Sequence, residues 1–296
     1  MRPRLFVIFS GICFGTTGTA QALGPKGASP LTVGAARLLV GSLLLILVAV
    51  RSKNLELVPV RKIPKRAWII AGLSMSFYQV TFFAGVRATG VAVGTVVALG
   101  SAPALTGLVS WVFMRQRPNR VWFIATSIAI IGVGAIASAG KTSHINSSGV
   151  LLALGAGLSY AFFAVFSKQI LRSGISSEKA MAKIFSIGAA PLLPLLIFGD
   201  SHWLFTPRGI ALALWLGLIP TTVAYLAYGA GLRHIPANDA ATLTLSEPIT
   251  ATILGIILIH EHPSVTAWVG VVLVFAALVM LSARKSQVKG QRSLPA

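Results

Sequence analysis

The sequence runs to 296 residues, of which 55% are apolar and only 10% charged, where soluble domains carry about 25% charged residues. That balance excludes a water-soluble fold. The formal net charge of +19, from 25 Lys and Arg against 6 Asp and Glu, would suit a nucleic-acid binder if the cations formed a surface patch, but here they sit in short groups between apolar runs.

The chain opens with Arg2 and Arg4, then an apolar run over 4–23 that closes on Ala20-Gln21-Ala22, the outline of a cleaved signal peptide. The run is read as a retained helix, because it has a counterpart in the second half of the chain. Further runs of about 20 residues, the length that crosses a hydrocarbon core, lie at 31–50, 67–86, 91–114 and 121–139, then at 149–169, 181–199, 209–229, 238–259 and 264–282. Turn chemistry separates them, as in Gly24-Pro25-Lys26-Gly27, Arg115-Gln116-Arg117-Pro118-Asn119 and His234-Ile235-Pro236-Ala237-Asn238. The count predicts an all-α integral membrane protein of ten transmembrane helices. Cys13, the single cysteine, lies inside the first run, so an intramolecular disulfide and a Cys-based metal site are excluded.

Charge places the loops. With the N-terminus inside, one face collects Arg2 and Arg4; Arg51, Lys53, Arg61, Lys62, Lys65 and Arg66; Arg115, Arg117 and Arg120; Arg172 and Lys179; Arg233; and Arg284, Lys285, Lys289 and Arg292. The other face has Lys26, Arg87, Lys141 and Arg208. Retention of Lys and Arg on the cytoplasmic side therefore predicts both termini in the cytoplasm and requires an even number of helices. Ten meets that requirement.

An internal repeat appears when the second half is slid back by 146 residues: Gly11 meets Gly157, Arg37 meets Lys183, Gly85 meets Gly231 and Arg87 meets Arg233. At an offset of 145, Ser101 meets Ser246, Pro103 meets Pro248 and Pro118 meets Pro263. The repeat divides the chain into residues 1–140 and 149–284, with a basic tail over 285–296. Five helices per half is an odd number, so the halves enter the membrane in opposite orientations. Such inverted repeats are typical of secondary transporters, with the substrate site near the midplane between the halves and alternating access around it.

These features resemble the EamA branch of the drug/metabolite transporter superfamily over essentially the whole chain. The resemblance lies in a small-residue first helix in each half, Ser10-Gly11-Ile12-Cys13-Phe14-Gly15 and Ala156-Gly157-Leu158-Ser159-Tyr160-Ala161; in the early basic residues Arg37 and Lys183; in Pro103 and Pro248; and in the turn Glu261-His262-Pro263. The first half departs from the last element, with Gln116-Arg117-Pro118. The resemblance implies a bacterial inner-membrane exporter of small metabolites. Length, compact loops and aromatic central helices look like the aromatic amino-acid exporter group, ahead of carriers of other metabolites, cationic drugs or nucleotide sugars.

Several residues are candidates for the substrate site. In the third helix Tyr78 and Phe82 share one face, beside Gln79; a neutral polar group at membrane depth requires a partner, which favours a face turned toward protein or water over lipid. Tyr225 and Tyr228 in the eighth helix align with Gln79 and Phe82. Phe14, Tyr160 and Phe163 come from the first helices of the two halves, where Gly11, Gly15, Gly155 and Gly157 serve close packing. Lys168 has two readings, a side chain snorkelling from a helix end or a partner for a substrate carboxylate. Arg37 and Lys183 are expected to anchor each half to neighbouring helix ends. Glu247, about ten residues into the ninth helix with Ala102 as its repeat mate, either pairs with a basic residue or serves as a substrate-ammonium or proton site. Pro103 and Pro248 each free a carbonyl one turn earlier and are expected to bend their helices.

Other chemistries lack their constellations. His260-Glu261-His262 does not have the spacing that sets two imidazoles on one helix face and reads as a loop at the membrane surface. No Gly-Lys-Ser/Thr phosphate loop occurs, so no ATPase subunit or cofactor is implied. A membrane-embedded enzyme would need a nucleophile, metal site or acid-base pair at one depth, and Glu56, Glu178, Asp200 and Glu261 fall in loops. The expected partners are small-molecule substrates, amino acids above all, and the lipid bilayer. A proton-coupled exporter of drugs or other metabolites, and a non-transporting scaffold or channel, are the competing readings.

Overall fold

The computed structural model describes residues 2–52, 63–138, 146–260 and 264–283. The turn Glu261-His262-Pro263, the tail 285–296, Glu56 and Lys141 lie outside the described residues. Ten helices follow in order: α1 (Arg2–Ala22), α2 (Pro30–Arg51), α3 (Lys65–Thr89), α4 (Val91–Met114), α5 (Arg120–Ser138), α6 (Ser147–Arg172), α7 (Ser177–Phe198), α8 (Pro207–Leu232), α9 (Ala237–Ile259) and α10 (Val265–Ser282). Among the described residues nine of these are long and apolar enough to span a bilayer, and the apolar part of α5, Arg120–Ile136, is the tenth. Large apolar side chains that a soluble fold would bury, such as Phe6, Phe9, Leu47, Phe113, Val272 and Phe275, are exposed around the outside. The protein is a multi-pass membrane protein.

The helices run past the apolar stretches because their ends are built from caps and charged residues. Ser176 and Ser264 accept from the backbone N–H groups of Lys179 and Ala267 at the starts of α7 and α10. Thr206 caps α8, with Pro207 at the first helical position. Gly90 turns the chain between α3 and α4 at φ 85°, a left-handed conformation that a β-carbon disfavours.

The two halves pack as an inverted pair. Helix α3 lies along α6, as α8 lies along α1; α4 crosses α6, as α9 crosses α1; α2 pairs with α7, and α5 with α10. Named contacts obey the same symmetry. A β-carbon on Gly11 would come 2.0 Å from Ser246 Oγ, and one on its mate Gly157 would come 2.3 Å from Ser101 Oγ. Gly85 presses on Gly149 O and Ala153 N, while Gly231 presses on Pro3 O and Val7 N. Helix association in lipid depends on close backbone approach, which small residues permit. Even the ends of α4 and α9 match: Arg115 and His260, 145 positions apart, are both left-handed caps at φ 51° and 60°, donating to Ser110 O and Gly255 O.

The start of α1 and the end of α10 lie on one face, the terminal face, where Arg4 Nη1 donates to Ser282 O. Three helices depart from regular geometry: α7 tightens into a 3₁₀ turn over Ala190–Leu192, and α8 and α9 are disturbed further. Helix α8 contains a π turn over Leu218–Val223, and α9 is interrupted at Thr244 and Leu245, between Ala237–Leu243 and Ser246–Ile259. Pro248 stands in the first turn after that interruption, where its missing N–H leaves no carbonyl without its donor. Helix α4 runs through Pro103 without interruption.

Candidate functional site

Where the halves meet, α1, α2, α3, α4, α6, α8 and α9 enclose a cavity of about 40 Å³, lined by Phe14, Arg37, Tyr78, Leu99, Ala102, Tyr160, Tyr225, Ala241, Thr244, Leu245 and Glu247. It lies on the axis relating the repeats, because three repeat-related pairs face each other in it: Phe14 and Tyr160, Leu99 and Thr244, Ala102 and Glu247. The volume suffices for a few waters and falls far below the roughly 300–1,000 Å³ of small-molecule sites. A molecule the size of an amino acid does not fit the cavity as it stands.

Rings form a continuous wall. Phe14 meets Tyr225 at 4.9 Å between centroids, and Tyr225 meets Phe185 at 4.4 Å and Phe163 at 5.5 Å. Tyr78 stacks on Phe82 at 5.5 Å and approaches Tyr160 at 6.5 Å. The Tyr160 hydroxyl donates to that of Tyr228 at 3.3 Å and lies 3.3 Å from Thr244 Oγ1, at the interruption of α9. Offset and edge-on ring pairs of this kind stabilise by about 0.5–1.5 kcal/mol each beyond area burial.

Two opposite charges share this cavity. Arg37 donates from Nε to Thr221 Oγ1 at 3.0 Å and from Nη2 to Pro220 O at 3.2 Å. Glu247 opens the second segment of α9, where the helix dipole favours an anion. Among the described residues no ion pair within 4.0 Å joins the two and no hydrogen bond is made by the Glu247 carboxylate. A charge at membrane depth is expensive unless it has a partner or a polar cavity, and this cavity is where both side chains lie.

Of the candidates read from sequence, the structure brings Phe14, Tyr78, Tyr160, Tyr225 and Glu247 to the cavity wall. Phe163 and Tyr228 are fully buried behind Tyr225 and Tyr160. Phe82 packs with Tyr78 against Ala98, Ala153 and Ala156, at the seam of α3, α4 and α6. Gln79 is buried with its Oε1 beside Gly34 of α2. Lys168 is not at the cavity: its Nζ donates to Leu232 O and Arg233 O at 2.7 and 2.8 Å, capping the end of α8. Lys183 lies 4.6 Å above the Trp68 ring near the start of α3, in keeping with an anchoring role. Arg37 does not anchor a helix end, because the π turn of α8 offers it oxygens at the cavity.

Sequence reasoning missed an ion pair that joins the two halves at the terminal face. Arg4 and Asp239, 5% and 1% exposed, approach to 3.8 Å, and Arg4 Nη1 also donates to Ser282 O at 3.2 Å. The starts of α1 and α9 and the end of α10 are thereby joined across the two halves. Asp239, inside a predicted span and opposite a terminal arginine, was the available signal.

Residues 1–138 and 147–283 each match the EamA-like transporter family. The chain belongs to that family. An uncharacterised transporter, YwfM of Bacillus subtilis, is 40% identical over 282 residues, covering 94% of this chain and 93% of its own. The threonine/homoserine exporters RhtA of Salmonella typhimurium and Escherichia coli are 28% and 29% identical, covering 87% and 83% of this chain and 82% and 79% of their own. A crystal structure superposes on this EamA-like transporter with a TM-score of 0.81 at 17% identity, covering 95% of this chain and 96% of the other, which establishes the shared fold.

Proposed function

We propose that this EamA-like transporter exports amino acids, aromatic ones included, by alternating access around the central cavity. The observation that carries the reading is Arg37 and Glu247 lining one aromatic-walled cavity without contacting each other. A zwitterion offers a carboxylate to the first and an ammonium to the second, while the rings cover its side chain. The relatives named as threonine/homoserine exporters support the same substrate class.

The terminal face is proposed to be cytoplasmic, because it carries Arg2, Arg51, Lys65, Arg120, Arg172 and Lys179 near helix ends. Relatives in Bacillus subtilis and Escherichia coli support placement in a bacterial plasma membrane. Each five-helix half is read as one repeat domain, and the protein as a carrier and not an enzyme. A second reading, proton-coupled export of drugs or other metabolites, draws on Glu247, whose carboxylate makes no hydrogen bond among the described residues.

Purified protein in proteoliposomes loaded with labelled L-phenylalanine, L-threonine or L-homoserine tests the proposal. Saturable efflux that unlabelled amino acid competes, and that Arg37→Gln strongly reduces, is expected. Efflux of none of the three, with the protein monodisperse and inserted, overturns it.

A further inference from the structure

The π turn of α8 has a chemical consequence at the cavity. Proline inside a helix removes the bond to the carbonyl four residues earlier, which for Pro220 is Leu216 O. The Thr221 hydroxyl donates to Leu216 O at 2.7 Å, and the Thr222 hydroxyl donates to Gly217 O at 2.8 Å. With its one proton engaged, the Thr221 oxygen can only accept from Arg37, and it does so from Nε at 3.0 Å while Pro220 O accepts from Nη2. The crossing of α2 and α8 is close enough to hold this arrangement rigid: a β-carbon on Gly41 would come 2.3 Å from Thr221 Cγ2, and one on Gly217 would come 2.4 Å from Val40 Cγ1.

Five N–H donors belong to a guanidinium, and the π turn occupies one on Nε and one on Nη2. The edge formed by Nη1 and the remaining Nη2 donor is the one that matches a carboxylate with two parallel hydrogen bonds. The repeat mate shows what is absent without the π turn. Helix α7 crosses α3 as α2 crosses α8, but α3 is regular over Lys65–Thr89, with Ser74 and Met75 where α8 has Pro220 and Thr221. Lys183 then rests on Trp68 and does not line the cavity.

We propose that the π turn of α8 is a positioning device for the substrate carboxylate, in which Thr221 fixes the guanidinium of Arg37 so that the transporter selects ligands bearing a free carboxylate. This rests on the amino-acid export reading and names the residue behind its selectivity. Thr221 is a positioning residue, acting through Arg37.

The test measures efflux of L-phenylalanine and of its methyl ester, which lacks the carboxylate charge, from proteoliposomes containing the parent protein, Thr221→Val or Thr221→Ser. Thr221→Val is expected to raise KM for the acid by about tenfold, as lost uniform binding would, with kcat and the ester KM unchanged; Thr221→Ser restores the parent KM. If the Val variant does not fold, Arg37→Lys, which keeps the charge without an Nε edge, carries the same comparison. An equal loss for acid and ester, or no rescue by serine, overturns the positioning role and leaves amino-acid export standing. A parent protein that moves neither compound overturns this inference, and failure with threonine and homoserine as well removes the export reading.

Discussion

On the alternating-access reading, the Arg4–Asp239 contact should bias the transport cycle by a measurable amount. Both side chains are buried, the pair is 3.8 Å apart, and it bridges α1 to α9, so on that reading it is made when the terminal face closes and broken when it opens. Removing one partner of a buried pair costs about 3–5 kcal/mol; at this separation, and with Arg4 also donating to Ser282 O, the lower figure applies. In the open state water reaches both groups, and the loss there is small. Asp239→Asn or Arg4→Gln should therefore raise the open-to-closed ratio on the order of 100-fold, since 1.4 kcal/mol is a factor of ten. A cysteine at Ala102, on the cavity wall, in a Cys13→Ala background reports opening through its rate of alkylation by an impermeant maleimide added from the terminal face. Both single variants should label faster from that face, and the double exchange Arg4→Asp with Asp239→Arg should return the rate part-way toward the parent. Labelling of the single variants no faster than the parent, or slower, would refute the reasoning.

Three further outcomes follow from named contacts. Gly157→Ala places a methyl 2.3 Å from Ser101 Oγ and 3.0 Å from Ala98 O, and should lower stability by about 1–3 kcal/mol; Gly18→Ala, which meets nothing within 4 Å, should not, and thermal unfolding in detergent compares them. Lys168→Met removes two charge-assisted bonds to the end of α8 and should lower the melting temperature while leaving KM for L-phenylalanine at the parent value; a raised KM would place Lys168 in the substrate path. Glu247→Gln should raise KM with no change in the response of flux to an imposed pH gradient. Flux that requires the gradient in the parent and loses that requirement in Glu247→Gln would instead establish proton coupling.

Length and parity were legible in sequence because lipid imposes them: a span needs its apolar residues, and an odd number of spans per half forces inversion. The offsets of 145 and 146 went further than topology, since the aligned pairs Gly11 with Gly157 and Ser101 with Ser246 make matching contacts, Gly11 against Ser246 and Gly157 against Ser101. The site was legible in part. Tyr78, Tyr160, Tyr225 and Glu247 could be picked by residue type and depth, but type does not say which of two adjacent rings faces the axis, so Phe82, Phe163 and Tyr228 look the same in sequence and lie behind the wall. Arg37 was misjudged for a different reason. Its repeat mate Lys183 suggested a shared role, and Pro220 signals only a disturbed helix; the oxygens that turn Arg37 to the cavity arise from a π turn, which has no letter of its own.

The repeat accounts for the shape of the cavity, and its divergence accounts for the chemistry. In each pair that faces the axis the second half holds the more polar member: Tyr160 against Phe14, Thr244 against Leu99, Glu247 against Ala102. The cationic partner comes from the first half, on α2, and is held there by α8 of the second. On the proposed reading, a zwitterion is therefore gripped at one end by α2 and at the other by α9, across the plane along which the halves must separate. A ligand shifts a conformational equilibrium only by its difference in affinity between the states. An amino acid that spans Arg37 and Glu247 favours a state in which the halves have closed around it over an open one in which the two groups move apart, whereas an amine or an acid alone touches one half and gains little from closure. Selectivity for zwitterions thus belongs to the closing step as much as to the pocket, and a compound lacking either charge should be carried, but more slowly than the zwitterion.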